Sequence, residues 1–177
     1  MMRVQALLLF FLMCSFGCTS TTNHQNSFTI YLVRHAEKQA DGSRDPALSE
    51  TGKIRSRQLA GWFQDKELKD IWSSDYQRTR DTATPLLART DLNITLYDPN
   101  ELSALANTLL QRQHNALVIG HSNTTPKLAG LLCQCVITEM DESEYDRLIV
   151  VTVANDKTYV KTLTQEGLLP LADGPGL

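Results

Sequence analysis

Apolar positions along this chain change their period several times, and each change marks a predicted element. Phe28, Ile30, Leu32 and Val33 lie in a short run rich in β-branched and aromatic residues, which reads as a strand. A polar stretch from Ala36 to Ala47 follows, with turn signals at Asp41-Gly42 and Asp45-Pro46. "SETGKIRSRQLAGWFQ" reads as a helix capped by Ser49, with Ile54, Leu59, Trp62 and Phe63 on its apolar face. "DIWSS" is a second strand. "DYQRTRDTATPLLART" is a helix with Asp75 as its expected N-cap and a kink or restart at Pro85. "NITLY" is a third strand, and "DPNELSALANTLLQRQ" carries strong helix-start signals in Asp98, Pro99 and Glu101. "ALVIG" is a continuous apolar run of the kind found in a buried parallel strand. Pro126 opens a further helix, "PKLAGLLCQ". "RLIVVTV" and "TYVKTL" read as a hairpin turning at Asn155-Asp156.

Strands that alternate with helices predict an α/β domain. Its form is a three-layer α/β/α sandwich, a mostly parallel sheet with helices on both faces. Ligands of such sheets bind beyond the carboxyl ends of the strands.

The N-terminal segment has a different pattern. Arg3 precedes an almost unbroken apolar run from Val4 to Gly17, shorter than the roughly 20 residues a membrane span needs but of the length of a secretory core. Gly17-Cys18 resembles a bacterial lipoprotein cleavage site. The expected organisation is a signal peptide of lipoprotein type over residues 1–17 and a polar tether over 18–27. A single domain follows over 28–163, then a tail over 164–177. The expected location is exported, periplasmic or outer-membrane-anchored, held to the membrane through lipid on Cys18.

Composition narrows the partners. The chain has 177 residues, 42% hydrophobic and 21% charged, with a formal charge of -3. That suits one soluble domain and supplies no basic field for nucleic acid. Cys133 and Cys135 stand one residue apart after a predicted helix. So short a ring would be strained, and two small buried thiols are preferred over a disulfide. Without matching histidine spacing they make a weak zinc signal.

The strand ends carry the chemistry. Arg34 and His35 follow the first strand, Arg78 opens the helix after the second, and His121 and Ser122 follow the fourth. The topology rule brings all of them to one edge of the sheet. Arginine offers a planar fork of donors that matches phosphate oxygens. Arg78 also opposes the dipole of its helix, a conflict that a bound phosphate would remove.

"LVRHAE", "ALSETG", "SSDYQRTRDTA" and "VIGHSN", in this order, resemble the histidine phosphatase superfamily, also called phosphoglycerate mutase-like. The spacing is similar to that of its small single-domain branch, such as the protein-phosphohistidine phosphatases. The resemblance spans about Phe28 to Leu163, with Ala36 standing where many members have glycine. It implies a phosphomonoesterase in which His35 is the nucleophile and becomes transiently phosphorylated. Arg34, Arg78 and His121 would hold the phosphate oxygens, and Ser122 would donate to phosphate or cap a turn. No metal or other cofactor would be required, because the arginines and the second histidine would supply the positive field. For a general acid the candidates are Glu37, beside the nucleophile, and Glu101 or Asp98, after the third strand; an enzyme with no dedicated acid is a further option. The substrate would be a small phosphorylated molecule. The rival reading is an inactive phosphatase-fold module that binds phosphorylated ligands at the cell envelope.

Overall fold

The computed structural model describes residues 27–165. The signal, the lipid attachment at Cys18 and the tail beyond residue 165 lie outside the described residues. Within them, strands and helices alternate: β1 (Ser27–Arg34), α1 (Glu50–Phe63), β2 (Asp70–Ser74), α2 (Gln77–Leu87), β3 (Ile94–Tyr97), α3 (Leu102–Arg112), β4 (Ala116–Gly120) and α4 (Thr124–Cys133). A hairpin of β5 (Arg147–Ala154) and β6 (Lys157–Thr164) completes the sheet.

The six strands lie in the order β3-β2-β4-β1-β5-β6. The pairs β2·β3, β2·β4 and β1·β4 are parallel, while β5 and β6 pair antiparallel at the other side. The hairpin turns at Asn155 and Asp156, both with positive φ, as a tight two-residue turn requires.

Side-chain alternation along the strands feeds two cores. Ile30, Leu32 and Val118 pack on one face against Leu105 and Leu109 of α3 and Leu128 and Leu132 of α4. Val33, Ile71 and Ile119 pack on the other against Leu59 and Phe63 of α1 and Leu86 of α2. The three-layer α/β/α arrangement follows from this division. It also sends the chain to opposite faces after two adjacent strands: β1 leads to α1 and β4 to α4. The crevice between their carboxyl ends is therefore the topological switch point where ligands bind.

Four local expectations are corrected. Ile54 is 50% exposed, because α1 turns that position away from the sheet. The N-cap of α2 is Tyr76, not Asp75, and α2 continues through Pro85 without restarting. The helix after β3 starts later than Asp98 predicts. Its N-cap is Glu101, and Asp98 instead accepts from the backbone N–H of Asn100 at 2.8 Å, a local turn that competes with helix. Cys133 and Cys135 are disulfide-bonded and not buried thiols. Gln134 adopts the left-handed conformation that ends α4, which brings the two Cα atoms to 5.2 Å.

Candidate active site

The carboxyl end of β1 is held on three sides. The N–H of His35 donates to the Gly120 carbonyl at 2.9 Å, tying the strand end to β4. The N–H of Ala36 donates to Thr82 Oγ1 at 3.0 Å, tying it to α2. Ser49, the cap of α1, donates its N–H to the Glu37 carbonyl at 2.9 Å. The backbone around His35 is thus fixed by three different elements. Gly120 is required for this approach. A Cβ there would stand 2.8 Å from Thr124 Oγ1 and 2.9 Å from the Tyr97 hydroxyl.

The His35 ring is 3% exposed, and its Nδ1 lies 2.7 Å from the Ala36 carbonyl oxygen. A carbonyl can only accept, so Nδ1 carries the proton and Nε2 of the neutral ring keeps its lone pair. Burial pushes the His35 pKa down to about 3. The Ala36 carbonyl opposes that shift, while Arg34, His121 and Arg78 add to it. His121 stands with its ring centre 5.5 Å from that of His35, and its Nε2 lies 2.8 Å from Ser74 Oγ. Burial first, then Arg78 and Arg34, push it down to about 4, against Glu142 and Asp45. Both imidazoles are neutral in the unliganded site.

Arg34 is 1% exposed. Its Nη1 donates to the carbonyls of Asp141, Glu142 and Glu144 at 3.2, 2.7 and 3.0 Å, and Nη2 to the Glu142 carboxylate at 2.9 Å. The Tyr145 ring lies 4.1 Å from the guanidinium carbon. The Nε of Arg34 and the Nε of Arg78 are both buried and without a hydrogen-bond partner. A buried donor left unpaired costs about 1–3 kcal/mol. Both donors belong to side chains whose planar fork matches phosphate oxygens. Arg34, His35, Arg78, His121 and Ser122 all line one cavity of about 450 Å³, together with Lys38, Tyr76 and Glu142.

Residues 30–99 match the family model of the histidine phosphatase superfamily, branch 1. Over that segment the chain is similar to the superfamily. No curated protein sequence matches it. Among solved structures it is similar to the protein histidine phosphatase SixA, determined with tungstate. That similarity has 20% identity and a TM-score of 0.65, and covers 80% of this chain and 99% of that one. A mycobacterial glucosyl-3-phosphoglycerate phosphatase gives 13% identity and 0.62, covering 78% and 98%. The phosphoglycerate mutase from Bacillus anthracis str. Sterne gives 14% and 0.61, covering 81% and 96%. At these identities the structures show a shared fold.

The carboxylates proposed as acids stand apart from the cavity lining. Glu37 is bound by Arg55 through Nε at 3.0 and 2.9 Å and Nη2 at 2.7 Å. Burial raises its pKa, but the Arg55 hydrogen bonds and charge outweigh that and hold it below the usual carboxylate range. Its partner is Arg55 and not the neighbouring Lys38. Glu101 is exposed and serves α3 through its backbone, and Asp98 lines a neighbouring cleft. Ser122 donates its hydroxyl to the Glu142 carboxylate. The turn after β4 is capped instead by Thr124, whose Oγ1 accepts from the His121 N–H at 2.9 Å.

Two site carboxylates escaped the sequence reading. Asp45 accepts from the Gln77 N–H at 3.0 and 2.9 Å and from Arg78 Nη1 at 3.2 Å. The dipole conflict at Arg78 is therefore met in part before any phosphate arrives. Glu142 meets Arg34 across 108 residues of chain. No local motif marks either residue, and the Asp45-Pro46 pair reads only as a turn.

Proposed function

We propose that this phosphatase hydrolyses small phosphate monoesters through a phosphohistidine intermediate on His35. The observation that carries the reading is the neutral His35 ring, its Nδ1 bound to the Ala36 carbonyl and its Nε2 left with a lone pair, in a cavity also lined by Arg34, Arg78 and His121. Nε2 attacks phosphorus, the P–N bond forms and the ester P–O bond breaks. The alcohol leaves with a proton taken from water. The hydroxide left by that transfer, or a water that yields it a proton, then attacks the phosphohistidine; the P–N bond breaks, phosphate leaves and the neutral imidazole is restored, so one difficult displacement becomes two easier ones. Arg34, Arg78 and His121 hold the three equatorial oxygens and stabilise the charge of the in-line transition state. In this mechanism the arginines supply the positive field that a metal would otherwise give. Since Glu37 and Glu101 do not line the cavity, the reading assigns them no proton transfer. It favours esters with good leaving groups. Export and lipidation at Cys18 belong to the same proposal and place the substrate in the envelope.

The test is hydrolysis of an aryl phosphate across pH 4 to 8, by wild type and His35→Ala. The expected result is activity in the wild type alone. Rapid quench at neutral pH should also show a mass increase of one phosphoryl group on the peptide holding His35. If both proteins are inactive yet the wild type binds phosphate esters, the binding-module reading replaces this one.

A further inference from the structure

The guanidinium of Arg34 is divided between two tasks. Nη1 is consumed by three backbone carbonyls of residues 141–144 and cannot be released without moving that loop. The opposite edge, Nε and Nη2, is the side that can grip an oxyanion with two parallel bonds. That edge is half filled: Nη2 donates to Glu142 Oε2 at 2.9 Å, and Nε is buried and unpaired. The other Glu142 oxygen takes the Ser122 hydroxyl. One carboxylate thus holds two groups on the wall of the phosphate cavity, and it lines that cavity itself.

The second carboxylate of the site is built differently. Asp45 is bonded to the Gln77 N–H as well as to Arg78, so leaving would uncap α2. The Glu142 side chain is 79% exposed, and among the described residues its carboxylate is hydrogen-bonded by Arg34 and Ser122. Its backbone carbonyl stays on Nη1 at 2.7 Å whichever way the side chain points. The side chain can therefore swing into solvent while the loop and the arginine keep their places. The Ser122 hydroxyl and then Arg34 hold the Glu142 carboxyl below the usual carboxylate range, so it is an anion at neutral pH.

We infer that Glu142 is a resident anion that occupies one oxygen position of the phosphate site and is displaced when a phosphate enters. The inference rests on the reading of this cavity as a phosphate site. Glu142 acts as a positioning residue. In the empty site it keeps the Arg34 edge and the Ser122 hydroxyl ordered and neutralises a buried cation. Against the ligand it competes, which weakens retention of the phosphate product.

Orthophosphate affinity, measured by calorimetry on wild type, Glu142→Gln and Glu144→Gln, tests this. Glu144 is the matched control: its carboxylate is bound by Arg147 at 2.5 and 2.6 Å, so its replacement removes the same charge from the same loop without touching Arg34 Nη2. Glu142→Gln is expected to bind orthophosphate about tenfold more tightly than wild type, with a matching rise in product inhibition. It should also melt at a lower temperature than wild type without phosphate and recover more on adding it. Glu144→Gln should change affinity by no more than about twofold. Equal affinity in wild type and Glu142→Gln, or an equal gain in both variants, overturns the inference while leaving the phosphatase reading intact. Orthophosphate binding to none of the three, with no ester hydrolysis, overturns both.

Discussion

The carboxylate of Asp45 and the guanidinium of Arg78, 33 residues apart, are 3.2 Å from each other at the start of α2. The same carboxylate accepts twice from the Gln77 N–H. A residue in the first loop therefore caps a helix it does not belong to and holds a cavity-lining arginine at the same time. Asp45→Ala should lower stability by about 1 kcal/mol, the usual cost of a lost cap. It should reduce kcat/KM by about tenfold through misplacement of Arg78. Asp45→Asn keeps an accepting oxygen and should fold with near wild-type stability. Denaturant titration and steady-state kinetics check both, and equal stability of Asp45→Ala and wild type would refute the capping role.

Arg34→Lys should behave as a deletion. A lysine has one nitrogen where Arg34 uses two and carries a third, and it cannot serve the Asp141, Glu142 and Glu144 carbonyls while keeping a planar edge for the cavity. Loss of about 10²–10³ in kcat/KM is expected, the cost of removing one preorganised donor. A lysine variant within tenfold of wild type would show that charge alone suffices.

Both site histidines make stability depend on pH with a definite sign. Their folded pKa values, about 3 for His35 and about 4 for His121, lie below the ordinary value of 6.5. Below pH 6.5 the unfolded chain binds protons that the folded chain does not. Stability is therefore fully present above pH 6.5 and falls as pH drops toward 4 and 3. Denaturant midpoints at pH 7.5, 6, 5 and 4 should decline, and His35→Asn and His121→Asn should each flatten the decline. Orthophosphate should oppose it, because an anion in the cavity favours the protonated rings. An unchanged slope in both variants would place the proton uptake elsewhere.

Gly120→Ala should damage the site through packing. The added Cβ meets Thr124 Oγ1 at 2.8 Å, the Tyr97 hydroxyl at 2.9 Å and Thr125 Oγ1 at 3.1 Å. Thr124 also orients the His121 N–H, so relief of the clash moves the second histidine. The expected cost is about 1–3 kcal/mol of stability, as for other overpacked sites, with loss of activity beyond the unfolded fraction. A fully active, equally stable variant would show that β4 and α4 yield without strain.

Reduction of the Cys133–Cys135 disulfide should change stability little. A three-residue ring removes few unfolded conformations, about 1.5 kcal/mol on the chain-entropy scaling. A thermal melt with and without reductant measures this, and a loss several times larger would mean that the disulfide holds the 134–145 segment together.

The elements and the four central site residues were legible in the sequence because their signals are local. β1 and β4 announce themselves by apolar runs that stop at Arg34-His35 and at Gly120-His121, and strand–helix alternation alone sends both ends to one edge. Start signals were less dependable. Asp98, Pro99 and Glu101 match a capping pattern, yet Asp98 folds into its own turn and α3 begins at Leu102. Asp75 matches a cap as well, but Asp45 arrives from another segment to take the N–H of Gln77. What the sequence determined by itself was a set of backbone preferences and the residues delivered at each strand end. What only tertiary structure decided was which charges meet. Glu37 is neutralised by Arg55 two residues from His35, Asp45 holds Arg78, and Glu142 holds Arg34. Those pairings depend on distances between segments far apart in the chain. Short-range propensity carries no information about such distances, and charge pairing acts only once packing has set them.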